Sequence, residues 1–179
     1  MHFEVYVDPG EVTLRLGSAV IFGLLLGIDR EVRGYDAGMR THMLVALGAA
    51  VMTLIAFELY DDLRKHQLDT AGDPLRVIEG VVTAVGFLGG GAIIRGNGEV
   101  QGLTTAANIW LCGAVGLACG AGHYLLAAIT FGFTVTIVTG MYLVKRWLAS
   151  QATRLESKST SRAAAAVSVP PLPGNTEPR

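Results

Sequence analysis

Apolar residues fall in five long runs separated by short polar stretches, and each run is long enough to read as a helix. Residues 1–8 alternate weakly, as a short surface strand would. The motif Asp8-Pro9-Gly10-Glu11 then reads as a capping box: Asp8 is the cap, Pro9 the first helical residue, and Glu11 lies three on from the cap. A helix from Pro9 to about Asp29 rises roughly 30 Å, enough to cross a bilayer's hydrocarbon. The charged segment Asp29-Arg30-Glu31-Val32-Arg33 closes it, and a loop with Gly34, Asp36 and Gly38 leads to Arg40-Thr41-His42. A second run goes from Met43 to about Tyr60, ending on Glu58 and followed by a polar loop to Gly72. The pair Asp73-Pro74 repeats the cap signal and opens a third run to about Ile94, with Glu79 inside it. A fourth runs from Thr105 to Gly120 and a fifth from Tyr124 to about Val144. The fourth is short, so its N-terminal N–H groups are expected at the membrane edge, facing a polar pocket.

Glycine spacing sharpens this picture. The segment from Gly80 to Leu111 is an apolar, glycine-dense helix, a polar glycine-rich turn with Arg95, Asn97, Glu99 and Gln101, and a second helix opening on Thr104, Thr105 and Asn108. Such glycine density disfavours a helix in water, but in a bilayer it lets helix backbones approach closely. Gly86 and Gly90 stand four apart, as do Gly23 and Gly27, and both pairs are candidate packing faces. Five short helices leave more small-residue surface than one chain covers, so a homodimer is expected.

Composition agrees. The 179 residues are 51% hydrophobic and 16% charged, with a mean hydropathy of +0.45, and the charges avoid long blocks of sequence. The expected class is all-α: a polytopic membrane protein with five spans over 1–148 and a low-complexity, disordered tail over 149–179. The formal net charge of −1 carries no nucleic-acid footprint. The acidic first residues do not resemble a signal peptide. Cys112 and Cys119, seven apart on one helix, are separated by roughly 10 Å, too far to bridge each other, and read as small packing residues rather than metal ligands. No spacing supports nucleophilic catalysis, no phosphate-loop or dinucleotide motif calls for a cofactor, and an enzyme is not expected.

Five spans put the chain ends on opposite sides. One side then carries ten of the 14 Lys and Arg residues, including Arg30, Arg33, Arg40, Arg95 and those of the tail; the other carries Arg15, Arg64, Lys65 and Arg76. Positive charge favours the cytoplasm, which places the N-terminus outside and the C-terminus in the cytoplasm. Asp29, Arg30, Arg40, Thr41, Arg95, Thr104, Thr105 and Asn108 then gather at the cytoplasmic edge. Ionisable groups at membrane depth are costly unless paired and point to function, and Asp29 with Arg40 or Arg95 is the obvious pair. The same charges also fit a plainer role, snorkelling and setting topology at span ends. His42 fits either a pH-responsive or a plain interfacial residue, and His123 a solvated one.

Four segments carry a resemblance: LLLGIDREVRG (24–34), AGMRTHMLVALGAA (37–50), GFLGGGAIIRG (86–96) and GLTTAANIWLCGAVGLACGAG (102–122). In order and spacing the chain resembles the MgtC/SapB family of bacterial inner-membrane proteins. The resemblance implies a five-helix membrane domain in the inner membrane, linked to growth under magnesium limitation and to virulence through survival inside host cells. It also singles out Asp29, Arg30, Arg40, Thr41 and the stretch from Arg95 to Ala107. Longer relatives carry a C-terminal soluble domain resembling ACT domains where this chain has its tail, so a regulatory or virulence role borne by that domain is not expected here. The expected activity is regulation of another membrane protein, such as a transporter or ATPase; the alternative is a small oligomeric transporter or channel. Magnesium transport by a single chain is disfavoured, because the spans supply few oxygen ligands.

Overall fold

The computed structural model describes residues 8–65, 73–96 and 99–167, with backbone only for 94–96, 99, 149 and 152–167. Five helices follow in order: α1 (Pro9–Val32), α2 (Met39–Lys65), α3 (Pro74–Gly91), α4 (Leu103–Gly120) and α5 (Tyr124–Val167), with a two-stranded hairpin between α3 and α4. Both proline-marked starts are capped as their residues dictate. The Asp8 carboxylate accepts from the Gly10 N–H at 2.9 Å, and Asp73 accepts from Leu75 at 2.9 Å. Glu11 does not complete a capping box. Its carboxylate is taken by Arg15 Nε at 2.8 Å and by the Tyr124 hydroxyl at 3.1 Å. Arg15 is engaged on its other side as well: its Nη1 donates to the Gly120 carbonyl at 3.0 Å, satisfying an end carbonyl of α4.

Helices α1, α2, α4 and α5 (to Leu148) are long and apolar enough to cross a membrane by length and composition. With Arg76 and Glu79 near its start, α3 is as long as α4 but falls short of that standard in apolarity. Large apolar side chains face outward along the helices, among them Leu14, Ile21, Leu44, Ile55, Phe87, Leu125 and Phe133. In water such a surface would aggregate; against lipid it is the expected exterior.

The described residues up to Thr134 form one unit, and those from Val135 on, the rest of α5, form another. Within the first, α2 and α4 are central: α2 packs on α1, α4 and α3, and α4 also meets α1 and α3. Glycine sets these approaches. A Cβ on Gly27 would lie 2.5 Å from the Met39 Cα, and one on Gly23 would lie 2.7 Å from the His42 carbonyl oxygen. A Cβ on Gly120 would stand 2.6 Å from the Ala50 carbonyl oxygen, and one on Gly116 would collide with the carbonyl of Ala46. The first pair is the one read from sequence; the second, equally four apart, joins α4 to α2. The core between them is made of small residues, with Ala19, Ala46, Ala50, Cys112, Cys119 and Ala127 all buried.

Gly86 and Gly90 do not pack inside the chain. The inward face of α3 is Val81, Val85 and Gly89, and a Cβ on Gly89 would lie 3.3 Å from the Ala106 carbonyl oxygen. Among the described residues, nothing lies within 4 Å of where a Cβ on Gly86 or Gly90 would stand. One residue of helical rotation separates the two faces, and glycine spacing alone does not choose between them.

The glycine-rich turn is an antiparallel hairpin, Ile94–Gly96 with Glu99–Gln101, in which Arg95 pairs with Val100. The intervening Asn97-Gly98 is a sequence signal for such a hairpin. Gly102, at φ +86°, starts α4, and a Cβ there would strike the Ala92 carbonyl. Helix α5 continues through Val167, well past the expected start of a disordered tail at 149. Absence of an apolar period says nothing against a helix here, because Ala163 to Ala166, with Gln151, Arg154, Glu156, Lys158 and Arg162, favour helix without a buried face even with Ser and Thr between them. The remainder of that expected tail, 168–179, and the expected surface strand in 1–7 lie outside the described residues.

Candidate functional site

Two glycine-tight contacts, α1 on α2 and α2 on α4, bring three helices together near the closing end of α1. A buried polar centre forms there. Arg30, the last buried residue of α1, is only 1% exposed. Its Nη2 donates to Thr105 Oγ1 on α4, and its guanidinium carbon lies 3.5 Å from the centre of the Tyr35 ring. That is a cation–π contact between a buried guanidinium and a ring that is itself 46% exposed. The Arg30 Nε finds no partner among the described residues.

His42 sits on α2 beside it, fully buried. Its Nδ1 lies 2.8 Å from the Gly38 carbonyl, one helical turn back, so Nδ1 must carry the proton. The free Nε2 then accepts from the Asn108 amide on α4 at 3.3 Å. The Cys112 thiol, one turn after Asn108, donates to the His42 carbonyl at 3.1 Å. Thr105, Asn108 and Cys112 therefore form one stripe of α4 laid against α1 and α2. Glu31 braces the approach: its carboxylate accepts from the Met39 N–H at 3.0 Å, filling the cap position of α2.

The eight polar residues expected at the cytoplasmic edge separate into groups. Arg30, Thr105 and Asn108 belong to the centre. Asp29 is next in sequence but turns away, and neither Arg40 nor Arg95 is shown as its partner. It pairs with Arg33 one turn on, at 2.6 Å, because positions i and i+4 share a helix face. Its second oxygen, Oδ2, is buried without a partner among the described residues. Arg40 is exposed and, with half-buried Thr41, heads an apolar groove between α2 and α3. Thr104 is exposed, and the Arg95 side chain lies outside the described residues.

Sequence reading put His42 at the same membrane edge without assigning it to the site, and did not place Tyr35, Cys112 or Glu31 there. For His42 a signal was present: His42, Ala46 and Ala50 repeat every four residues, the spacing of a buried face. Tyr35 lies in a loop, where no periodicity applies.

The centre joins the same segments that carry the family resemblance, and comparison with known proteins decides the matter. A model of the MgtC family matches residues 16–147. The chain belongs to the MgtC family. It is 39% identical over 129 residues to the Escherichia coli (strain K12) protein named "Putative magnesium transporter YhiD", covering 72% of this chain and 58% of that protein. It is 35% identical over 120 residues to Protein SapB of Bacillus subtilis (strain 168), covering 66% and 51%. With Protein MgtC of Brucella abortus (strain 2308) the identity is 37% over 122 residues, covering 68% and 48%. The chain thus spans about half to three fifths of the length of these relatives. No solved structure matches it. MgtC family membership and four long apolar helices make this a multi-pass membrane protein.

Proposed function

We propose that this MgtC family member is a regulatory protein of the bacterial inner membrane that acts by binding another membrane protein, in adaptation to magnesium limitation. The observation that carries this reading is the open face of α3. Gly86 and Gly90, four apart, have nothing among the described residues within 4 Å of where a Cβ would stand, although Gly23, Gly27, Gly116 and Gly120 at other helix contacts are met by backbone. A partner helix can approach such a face as closely as α2 approaches α4. A second copy of the chain can use the same face, which supports the homodimer. A role in intracellular survival belongs to the same proposal, through the family.

The chemistry of the buried centre supports regulation over cation transport. It presents the Arg30 guanidinium, which can only donate, and the Asn108 NH2, with the histidine lone pair already used. A cation would be repelled there by Arg30. Transport remains the second reading, carried by the unpartnered Asp29 Oδ2 and by the name of the Escherichia coli relative.

The test is Gly90→Leu in cells grown at low magnesium, with crosslinking in the membrane and a thermal melt in mild detergent. The fold has room for the side chain, so the melt should stay at the wild-type temperature while crosslinks and growth support are lost. Wild-type growth by the variant would overturn the reading. Magnesium flux into liposomes holding the purified chain, abolished by Asp29→Asn, would establish transport instead.

A further inference from the structure

The groove between α2 and α3 is distinct from the buried centre and from the Gly86–Gly90 face. Its volume is about 690 Å³, within the range of roughly 300–1,000 Å³ that holds small ligands. Apart from Arg40 and Thr41, every residue lining it is apolar or glycine. The two polar residues are not scattered but adjacent, in the first turn of α2. No carboxylate pairs with Arg40 among the described residues.

Dimensions identify the occupant. The lining on α2 runs from Arg40 to Met52, about 18 Å of helix. One leaflet of hydrocarbon is about 15 Å deep, half of the roughly 30 Å core. Its floor is kept open by Gly48 and Gly80, where a Cβ would meet nothing within 4 Å, and by the small side chain of Ala84. A groove one leaflet deep, apolar along its length and cationic at a single end, has the form of a lipid tail below a headgroup. We propose that the α2–α3 groove seats one acyl chain of an anionic membrane phospholipid, with its phosphate at Arg40 and Thr41.

Native mass spectrometry tests this on the full chain in mild detergent, given equal amounts of phosphatidylglycerol and phosphatidylcholine. One phosphatidylglycerol should be retained in preference by about fivefold, the contribution of one cation at an anionic surface. Arg40→Gln should bring the ratio close to one. Gly48→Leu with Ala84→Leu, which fills the slot, should lose both lipids, while Gly86→Leu on the other face should retain them. If the double variant fails to fold, the Arg40→Gln ratio decides. Equal retention of the two lipids by the wild type, or an undiminished preference in Arg40→Gln, overturns the proposal. So does a disulfide between two copies through Ala84→Cys in phosphatidylglycerol vesicles, which would give the groove to a second chain.

Discussion

His42 on α2 and Asn108 on α4 meet ring to amide at 3.3 Å in the sealed interior, and the direction of that bond is fixed from the far side of the ring. The Gly38 carbonyl takes the Nδ1 proton, so Nε2 can only accept. Removing either partner strands the other where no water replaces it. Hydrogen bonds between membrane helices are worth about 0.6–2 kcal/mol. A double-mutant cycle with His42→Phe and Asn108→Leu, followed by thermal melts in mild detergent, should show coupling of that size. Strictly additive single effects would mean that the two side chains do not share a bond.

The two glycine faces should respond oppositely to one methyl group. Gly116→Ala and Gly120→Ala force a Cβ into the backbone of α2, and overpacking of this kind costs about 1–3 kcal/mol each. Gly86→Ala meets nothing and gains helix propensity of about 0.8–1 kcal/mol. Melts of the three variants should fall below wild type for the first two and at or above it for the third. Equal losses in all three would refute the assignment of faces.

Arg30 is a buried charge held by a hydroxyl and an aromatic face, not by a carboxylate. Arg30→Lys keeps the charge but loses both the planar stacking and the long reach to Thr105, so it should melt below wild type. Arg30→Met fills the space without a charge to desolvate and should melt at or above wild type. If growth at low magnesium is lost in Arg30→Met despite its stability, the guanidinium serves function; a melt of Arg30→Met below that of Arg30→Lys would show that the charge itself stabilises the fold.

Asp29 should be a weak link in stability. Pairs at i and i+4 on a helix are worth about 0.3–0.5 kcal/mol, so Asp29→Ala should cost less than about 1 kcal/mol. Arg40→Leu in that background should recover nothing, because Arg33 is the partner. A loss of several kcal/mol, partly restored by Arg40→Leu, would return Asp29 to a buried pair with Arg40.

Whether α3 crosses the membrane decides the parity of the chain. With all five helices crossing, a tag at Arg179 reports the cytoplasm and one before Asp8 the outside. With α3 lying short, both tags report the same side. Reporter fusions in intact cells distinguish the two outcomes, and opposite sides are expected.

Much of the architecture follows from residues near in sequence. Asp8-Pro9 and Asp73-Pro74 specify helix starts through a cap bond that reaches only two residues on. The apolar runs specify spans because backbone groups in lipid must bond within their own helix. Arg30, Thr105 and Asn108 were legible as polar residues at span ends, since charge is conspicuous in apolar sequence.

What sequence left open is which way each helix turns. Gly86–Gly90 and Gly116–Gly120 have the same spacing, yet only the second pair touches a neighbour. Asp29 and Arg30 are adjacent, yet a rotation of about 100° per residue sends one to Arg33 on its own helix and the other into the centre. The sequence by itself determined the helices, most of their limits and the family. Only the tertiary structure decided the facing of each helix, the burial of His42 and the groove headed by Arg40. The physical reason is that caps and apolar periods act within one helix, whereas rotational setting is chosen by the surface of another helix, distant in sequence.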